Sequence, residues 1–230
     1  MQALSDPRLK RATTLLAAIA VSGAASADFR QYDFTIDSTM TGWSFDKSLA
    51  KFDTNLGTLT SVEFGLSDTM VTTIKASNMS ASSGETIDST VTGAFGMSYA
   101  GTNLLGGTIV TSKIDAFDVN KNKKLDFASP YGKIYDTVST TKSFGPLTYT
   151  GSAMAPFMMK GPGSFLVTAT AAADSSTTVT NGNAYIKYTA FAGANGYVRY
   201  SFQPTPEPAS FAALAMGIGA LVRRRKAGSR

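Results

Sequence analysis

The feature that most constrains the fold of this chain is a two-residue alternation of apolar and polar side chains, repeated in short runs. The runs share aromatic or aliphatic residues at every second position: Tyr32, Phe34 and Ile36; Val62, Phe64 and Leu66; Phe95, Met97 and Tyr99; Phe165, Val167 and Ala169; Ile186, Tyr188 and Ala190; Val198, Tyr200 and Phe202. This period is typical of half-buried strands, and no window shows a sustained helical stripe. Abundant Ser and Thr suit strands whose outer face meets water. The sequence therefore predicts an all-β fold, an antiparallel β-sandwich of jelly-roll-like type, over residues 28–203.

A turn signal separates two of these runs near the end of the alternating region. In TTVTNGNAYIKYTAF, the pair Asn181-Gly182 lies between two apolar runs. Both residue types tolerate positive φ, which the centre of a tight two-residue hairpin requires. The pattern predicts a hairpin between the two flanking strands.

Residues 1–27 have the three parts of a secretory signal peptide in order. Basic residues between Arg8 and Arg11 precede an apolar stretch, residues 12–21, and a small-residue segment ends in Ala25-Ser26-Ala27. This order predicts a signal helix, export through a translocon, and cleavage between Ala27 and Asp28. The alternative is a core helix at the start of the folded domain.

Residues 204–230 combine a proline motif, an apolar run and a basic block. The motif residues are Pro206, Glu207 and Pro208, the apolar run covers residues 209–222, and the basic block begins with Arg223, Arg224 and Arg225. The run is shorter than the roughly 20 residues of a permanent membrane span. Because basic residues stay on the cytoplasmic side, the folded body is expected outside. We predict a C-terminal transmembrane helix that anchors the exported body in the inner membrane transiently.

The charge of the chain is concentrated at these two ends. The whole chain has a formal net charge of +5, but residues 28–205 contain 13 basic and 14 acidic residues, a net charge of −1. A nucleic-acid binder needs Lys and Arg clustered on its folded domain, so we exclude nucleic acid as a partner. The absence of Cys and His excludes disulfides, thiol nucleophiles and the commonest general base and metal ligand.

The C-terminal segment resembles the PEP-CTERM sorting signal of Gram-negative bacteria, since the Pro-Glu-Pro motif, the apolar run and the arginine block occur in that order. The resemblance covers about the last 25 residues. It implies recognition by an exosortase, a membrane cysteine transpeptidase, with processing close to Pro206–Pro208 and transfer to the cell surface. It also implies an association with exopolysaccharide and biofilm. The alternative is an ordinary tail anchor with incidental prolines.

The body of the chain resembles the choice-of-anchor E domain. The segment LAKFDTNLGTLTSVEFGLS contains Lys51, Phe52, Asp53, Leu56, Gly57, Thr58 and Leu59 in the order typical of that family. A short turn through Asn55, Leu56 and Gly57 that leads into a strand is predicted here. The resemblance implies a secreted β domain displayed through a C-terminal anchor, without enzymatic activity.

One loop has the oxygen spacing of a calcium site. Asp118, Asn120, Asn122 and Asp126 occupy positions 1, 3, 5 and 9 of the calcium-binding pattern. Lys123 replaces the glycine of that pattern, and Ser129 stands where a bidentate Glu closes it. The alternative is a solvated turn-forming loop.

Two patterns contain residue types that are used in catalysis. The pairs Ser44/Lys47 and Ser48/Lys51 have the S-x-x-K spacing of a serine–lysine nucleophile, which functions at a helix N-terminus. Scattered carboxylates, namely Asp33, Asp37, Asp115 and Asp136, provide the residue type of a glycosidase pair. Chance spacing and solvated turns explain both patterns, so we predict no catalytic residues and no cofactor.

Trp43 and the tyrosines are candidate sugar-stacking residues, because the apolar faces of sugar rings favour aromatic platforms. The alternative is a partly buried core tryptophan. The sequence as a whole predicts an exported structural protein of the cell surface or extracellular matrix that is not an enzyme. The second hypothesis is a carbohydrate-binding module displayed at the surface, for which an exposed row of aromatics including Trp43 is required.

Overall fold

The computed structural model describes residues 27–128 and 130–205, and nearly all of its regular structure is β-strand. A single 3-10 helix, Gly151–Phe157, precedes β9 in the described part of the chain. The strands are β1 Asp28–Met40, β2 Trp43–Ala50, β3 Phe52–Asp53, β4 Gly57–Asn78, β5 Glu85–Tyr99, β6 Thr102–Phe117, β7 Gly132–Ile134, β8 Val138–Tyr149, β9 Met158–Met159, β10 Ser164–Val179 and β11 Ala184–Pro204. The prediction of an all-β, antiparallel, sandwich-like fold is confirmed.

Two antiparallel sheets form the body. Sheet one has the order β1-β11-β4, and both β7 and β8 pair with β4 on its side opposite β11. Sheet two has the order β2-β10-β5-β6, and β3 and β9 form a small parallel pair. The strands β4 and β11 contain 22 and 21 residues and pair along almost their whole length. At about 3.3 Å per residue, each is about 70 Å long.

Several connections cross from one sheet to the other. Thr41 and Gly42 join β1 to β2, and their backbone N–H groups donate to Ala190 of sheet one at 3.0 Å and to Ala171 of sheet two at 2.8 Å. The Asn181-Gly182 turn is a second such crossing, because β10 pairs with β2 and β5 whereas β11 pairs with β1 and β4. The predicted hairpin at Asn181-Gly182 is therefore wrong.

A tight hairpin lies instead between β5 and β6. Tyr99 pairs with Thr102, and the two central residues, Ala100 and Gly101, have φ values of 49° and 79°. Positive φ at both positions is the requirement of a type I′ turn. The first position holds Ala instead of the usual Asn or Gly, so the sequence pattern does not predict this hairpin.

The turn predicted in the LAKFDTNLGTLTSVEFGLS segment is confirmed. Phe52–Asp53 forms β3, residues 54–56 form the turn, and β4 begins at Gly57. The Asp53 carboxylate caps the turn, since its Oδ1 accepts the N–H of Asn55 at 2.9 Å and that of Gly161 at 2.8 Å. These two backbone donors lower the pKa of Asp53.

The interior contains two apolar clusters arranged along the strands. The larger surrounds Phe64, whose ring lies 5.0–6.1 Å from those of Tyr149, Phe157 and Phe165. The smaller cluster lies further along β4 and has these members: Ile74, Ala76, Ile87, Val91, Phe117, Tyr135 and Ala190. The inward positions of β4 on either side of Met70, a member of the larger cluster, are the buried polar residues Asp68 and Thr72.

The two ends of the sandwich differ in what they contain. Asp28 pairs with Phe202, and Gly57 pairs with Pro204, so β1 starts beside the point where β11 finishes. We call this the near end. At the other end of β4 and β11, Asn78 pairs with Ala184, and the loops 79–84, 118–131 and 180–183 lie together. We call this the far end.

Within residues 27–128 and 130–205, no helix has the length and apolarity needed to cross a membrane. The predicted signal helix and C-terminal transmembrane helix lie outside the described residues.

Candidate functional site

A groove of about 440 Å³ crosses the outer face of sheet one. Residues from four adjacent strands form it, including Asp33 on β1, Tyr197 on β11, Gly65 on β4 and Pro146 on β8. The groove is open to solvent and lies towards the near end of β1, β4 and β11.

Glycine at position 65 explains how the aromatic side of the groove forms. A Cβ at Gly65 would overlap the ring of Tyr197, so only glycine lets that ring lie directly against β4. The Tyr197 hydroxyl donates to Glu63 Oε1 at 2.8 Å, which fixes the ring along the strand. Burial, followed by this contact with Glu63, raises the pKa of Tyr197, so the phenol stays protonated at neutral pH.

An arginine joins the aromatic and polar groups beside the groove. The Arg199 guanidinium lies 5.5 Å from the ring centre of Tyr197 and 5.6 Å from that of Phe29. Its Nε donates to Gln31 Oε1 at 3.0 Å, and its Nη1 lies 3.6 Å from Glu63 Oε1. Phe29 is 63% exposed. The result is a continuous outward-facing row of one cation and two aromatic rings.

The groove also combines apolar residues, among them Phe144 and Pro146, with polar side chains from β1 and β11. Asp33 Oδ1 accepts the amide Nε2 of Gln31 at 2.7 Å, and the Thr35 hydroxyl donates to Asn195 Oδ1 at 3.0 Å. Carboxylate, amide, hydroxyl and guanidinium groups beside an aromatic ring match the alternating polar and apolar surfaces of a sugar. These groups can donate and accept hydrogen bonds with a hydroxyl-rich ligand.

Trp43, the sugar-stacking candidate, lies in the core. Its side chain is 9% exposed, its Nε1 donates to the carbonyl of Ala192 at 3.3 Å, and its ring stacks on Phe45 at 5.4 Å. Because it begins β2 immediately after the sheet crossing, it packs between the sheets. This placement matches the core alternative and counts against a binding surface centred on Trp43.

The residues of the calcium-spacing loop are folded by their own hydrogen bonds. Asn120 is buried, and its Nδ2 donates to the carbonyls of Asn78 and Lys124, both at 2.8 Å. Asp126 Oδ1 accepts the N–H of Ala128 at 2.7 Å.

Asp118 and Asn122, the other two residues of the calcium spacing, lie in the same loop. The backbone carbonyl of Asp118 accepts Asn78 Nδ2 at 2.8 Å, and Asn122 is exposed. Ser129 lies outside the described residues. Within the described residues, no group of three or more Asp or Glu side chains is gathered for a metal ion.

The serine–lysine pairs lie on or just after a strand rather than on a helix. Ser44, Lys47 and Ser48 belong to β2, and Lys51 follows it. Residues three apart on a strand point to opposite faces, so this spacing separates Ser44 from Lys47.

The scattered carboxylates occupy different elements. Asp33 and Asp37 are four residues apart on β1, about 13 Å, which exceeds the spacing of a glycosidase pair. Asp115 on β6 forms an ion pair with Lys133 at 2.8 Å, and that contact lowers the pKa of Asp115. Asp136 is exposed after β7.

Most of the predicted sorting residues lie outside the described part: Ala25, Pro206, Glu207, Pro208, Arg223, Arg224 and Arg225. Ala27 and Asp28, which flank the predicted cleavage site, are exposed at the near end, and Asp28 begins β1.

The sequence patterns do not predict the groove, although the last strand of the domain, β11, shows which of its residues face outward. In GYVRYSF, Val198, Tyr200 and Phe202 are buried, so Tyr197 and Arg199 alternate with them and face outward. The outward set becomes a site only when the neighbouring strands are known, since Gly65 and Asp33 lie more than 130 residues away in sequence.

No protein-family model matches the chain, and no curated protein matches its sequence. The crystal structure of dimeric latent PorU from Porphyromonas gingivalis is similar over 80% of this chain, with 10% identity and a TM-score of 0.23, and the match covers 14% of that chain. The structure of infectious bursal disease virus, Gx strain, is similar over 80% of this chain, with 13% identity, a TM-score of 0.22 and 43% of that chain covered. Turnip Yellow Mosaic Virus is similar over 80% of this chain, with 11% identity, a TM-score of 0.15 and 99% of that chain covered. The chain thus spans less than half the length of the first two, and likeness at these TM-scores supports no inference.

Proposed function

We propose that this chain is an exported structural protein of the cell surface or extracellular matrix, sorted by an exosortase-type system and associated with exopolysaccharide or biofilm. The proposal rests on the three-part patterns at both ends of the sequence and on a domain whose two ends lie together. It assigns the protein no catalytic step.

The observation that carries the proposal is the pairing of Asp28 with Phe202 at the near end. The predicted cleavage site and the start of the predicted anchor therefore lie at the same end of the sandwich. An anchor that follows Thr205 would hold the near end towards the membrane. The far end, about 70 Å away along β4 and β11, would then face outward.

The order of strands supports a jelly roll as the finer description of this domain. The four main strands of sheet one are ordered β1-β11-β4-β8, and those of sheet two β2-β10-β5-β6. Each sheet thus interleaves early and late strands, as two nested Greek keys do. A jelly roll buries its core without disulfides and leaves both outer faces available for display.

The experiment compares three forms of the full chain in a bacterium that has an exosortase: wild type, a Pro206→Ala/Glu207→Ala/Pro208→Ala triple variant, and Thr205→Ala as the matched control. Mass spectrometry of each cell fraction identifies the two termini. We expect surface protein that begins at Asp28 and lacks the arginine block for wild type and control. The triple variant should retain its tail in the membrane fraction. Untrimmed protein in the cytosol for all three forms would overturn the proposal.

The groove favours carbohydrate binding as a second function. Its aromatic ring, Tyr197, is held against a glycine and bordered by Arg199, Asp33 and Asn195, which offer both hydrogen-bond donors and acceptors. In this form of the hypothesis the platform is Tyr197 rather than Trp43.

A glycan-array screen of the full chain tests the second function. Any glycan retained by wild type should bind Tyr197→Ala about tenfold more weakly, equivalent to about 1.4 kcal/mol. Tyr188→Ala is the control, since Tyr188 is an exposed tyrosine of β11 that pairs with Ile74 far from the groove. No retained glycan, or equal loss in both variants, would exclude the groove as a sugar site.

A further inference from the structure

A carboxylate is buried at the far end of the sandwich without a counter-charge. Glu85 is the first residue of β5 and is 2% exposed. Neither Oε1 nor Oε2 forms a hydrogen bond of standard geometry among the residues that the structure describes. In that same part of the chain, no lysine or arginine lies within ion-pair distance of it. Burial raises the pKa of this carboxyl group. The backbone N–H of Asn183 lies close to the carboxylate and lowers its pKa, which opposes the effect of burial.

Other oxygen atoms converge on the same place from two neighbouring loops. A Cβ built on Gly182 would overlap both Glu85 Oε1 and Ser80 Oγ, so these two oxygens lie together against the Gly182 backbone beneath the 180–183 turn. Ser80 Oγ lies 3.3 Å from Ser83 Oγ, and Ser83 Oγ lies 3.5 Å from the carbonyl oxygen of Asn181. Glu85, Ser80, Ser83 and the Asn181 carbonyl thus form one cluster of neighbouring oxygen-bearing groups.

The loop that holds these oxygens is fixed by two buried asparagines. Asn78 Oδ1 accepts the N–H of Ser80 at 2.6 Å, and Asn78 Nδ2 donates to the carbonyls of Ser83 at 3.2 Å and Asp118 at 2.8 Å. Asn120 donates its own N–H to the carbonyl of Ser80 at 2.9 Å. The serine hydroxyls are therefore held in place by the backbone on both sides of them.

A buried carboxylate without a counter-charge is costly, and a bound cation removes that cost. Calcium takes oxygen ligands from carboxylates, carbonyls and water in a flexible geometry, whereas magnesium demands a near-ideal octahedron. We propose that Glu85, Ser80, Ser83 and the Asn181 carbonyl bind a calcium ion, with water completing the coordination. One carboxylate places this site among the weak ones, with a Kd of about 0.1–1 mM.

The site differs from the calcium spacing of residues 118–126. There, Asn120 uses its side-chain amide to donate to Asn78 and Lys124, so it acts as a support for the 79–84 loop. The ligands proposed here come from the 79–84 loop, from the first residue of β5 and from the 180–183 turn. The inference stands independently of the proposed export.

The experiment measures thermal unfolding of the full chain in mild detergent while calcium chloride is raised from zero to 10 mM, with magnesium chloride and potassium chloride as parallel titrations. Three proteins are compared: wild type, Glu85→Gln, and Asp88→Asn. Asp88 is the matched control, because it is an exposed carboxylate on the same strand. We expect Tm of wild type and Asp88→Asn to rise by about 3–6 °C at ten times Kd, with little response to magnesium or potassium.

Glu85→Gln keeps the shape of the side chain and removes its charge. It should lose the calcium response while unfolding, without calcium, at a Tm equal to or above that of wild type. Ser83→Ala, at a half-buried position, provides a second variant that should raise the calcium concentration needed for half the shift. A wild type that does not respond to 10 mM calcium would overturn the proposal, and so would an undiminished response in Glu85→Gln.

Discussion

Asp68 should make the protein less stable as the pH rises, and its replacement by Asn should abolish that effect. The side chain points into the interior of the sandwich from β4, is 1% exposed, and has no partner for its Oδ2 in the described part of the chain. Desolvation raises the pKa of Asp68 to about 7, from an ordinary value of 3.8. The folded protein therefore holds this proton more tightly than the unfolded chain does.

The magnitude follows from the difference between the two pKa values. Between pH 3.8 and pH 7 the native state binds the extra proton, so the free energy of unfolding falls as the pH rises. At 1.36 kcal/mol per pKa unit, the full loss above pH 7 is about 4 kcal/mol. Asp68→Asn has no charge to desolvate. Its free energy of unfolding should match that of wild type near pH 4 and exceed it by up to about 4 kcal/mol at pH 8.

Guanidinium unfolding of the full chain at half-unit intervals from pH 4 to pH 8 checks this prediction. The difference between Asp68→Asn and wild type isolates the Asp68 contribution, since other titrating groups are common to both proteins. Asp174→Asn is the control, because Asp174 is an exposed carboxylate on β10 and should leave the pH profile unchanged. Parallel profiles for Asp68→Asn and wild type would refute the reasoning that this carboxylate is desolvated by folding.

Two further predictions concern the core and a sheet edge. Phe64→Ala removes a fully buried ring that contacts three other aromatic rings, so it should lower the free energy of unfolding by about 3–5 kcal/mol in a denaturant titration. Phe29→Ala, at an exposed position, should change the free energy of unfolding by about 0.5 kcal/mol or less in the same titration. Lys142→Ala removes the Nζ that donates to the Thr108 carbonyl of the edge strand β6 at 3.0 Å, and light scattering should then detect faster aggregation than in wild type. Lys187→Ala is the control, because Lys187 is exposed on the interior strand β11, and equal rates in the two variants would show that Lys142 does not protect this edge.

Periodicity predicted much of the fold because burial imposes it directly. Val62, Phe64 and Leu66 were expected to share a buried face, and all three lie in the larger core cluster on β4. Periodicity does not predict which strands pair, since partners such as Gly57 and Pro204 are separated by most of the domain in sequence. The Asn181-Gly182 error has the same origin. A turn pattern reports local φ preferences, and it does not indicate whether the next strand joins the same sheet.

The candidate groove shows the same limit for function. Tyr197 and Arg199 occupy outward positions of β11, and the sequence offers Tyr197 only as one of several tyrosines that could stack on a sugar. Their surroundings depend on Gly65 and Glu63, which come from a strand that pairs with β11 only after folding. Trp43 shows the opposite error. As the single tryptophan of the chain it is a sugar-stacking candidate by sequence, but it lies in the core at the start of β2.

Site-specific labelling on intact cells tests the central claim, display of the far end outside the cell, most directly. The chain contains no cysteine, so Asn122→Cys introduces a single thiol in an exposed far-end loop. A membrane-impermeant maleimide should label this variant on intact cells as fully as after lysis. Labelling that appears only after the cells are broken would contradict the account.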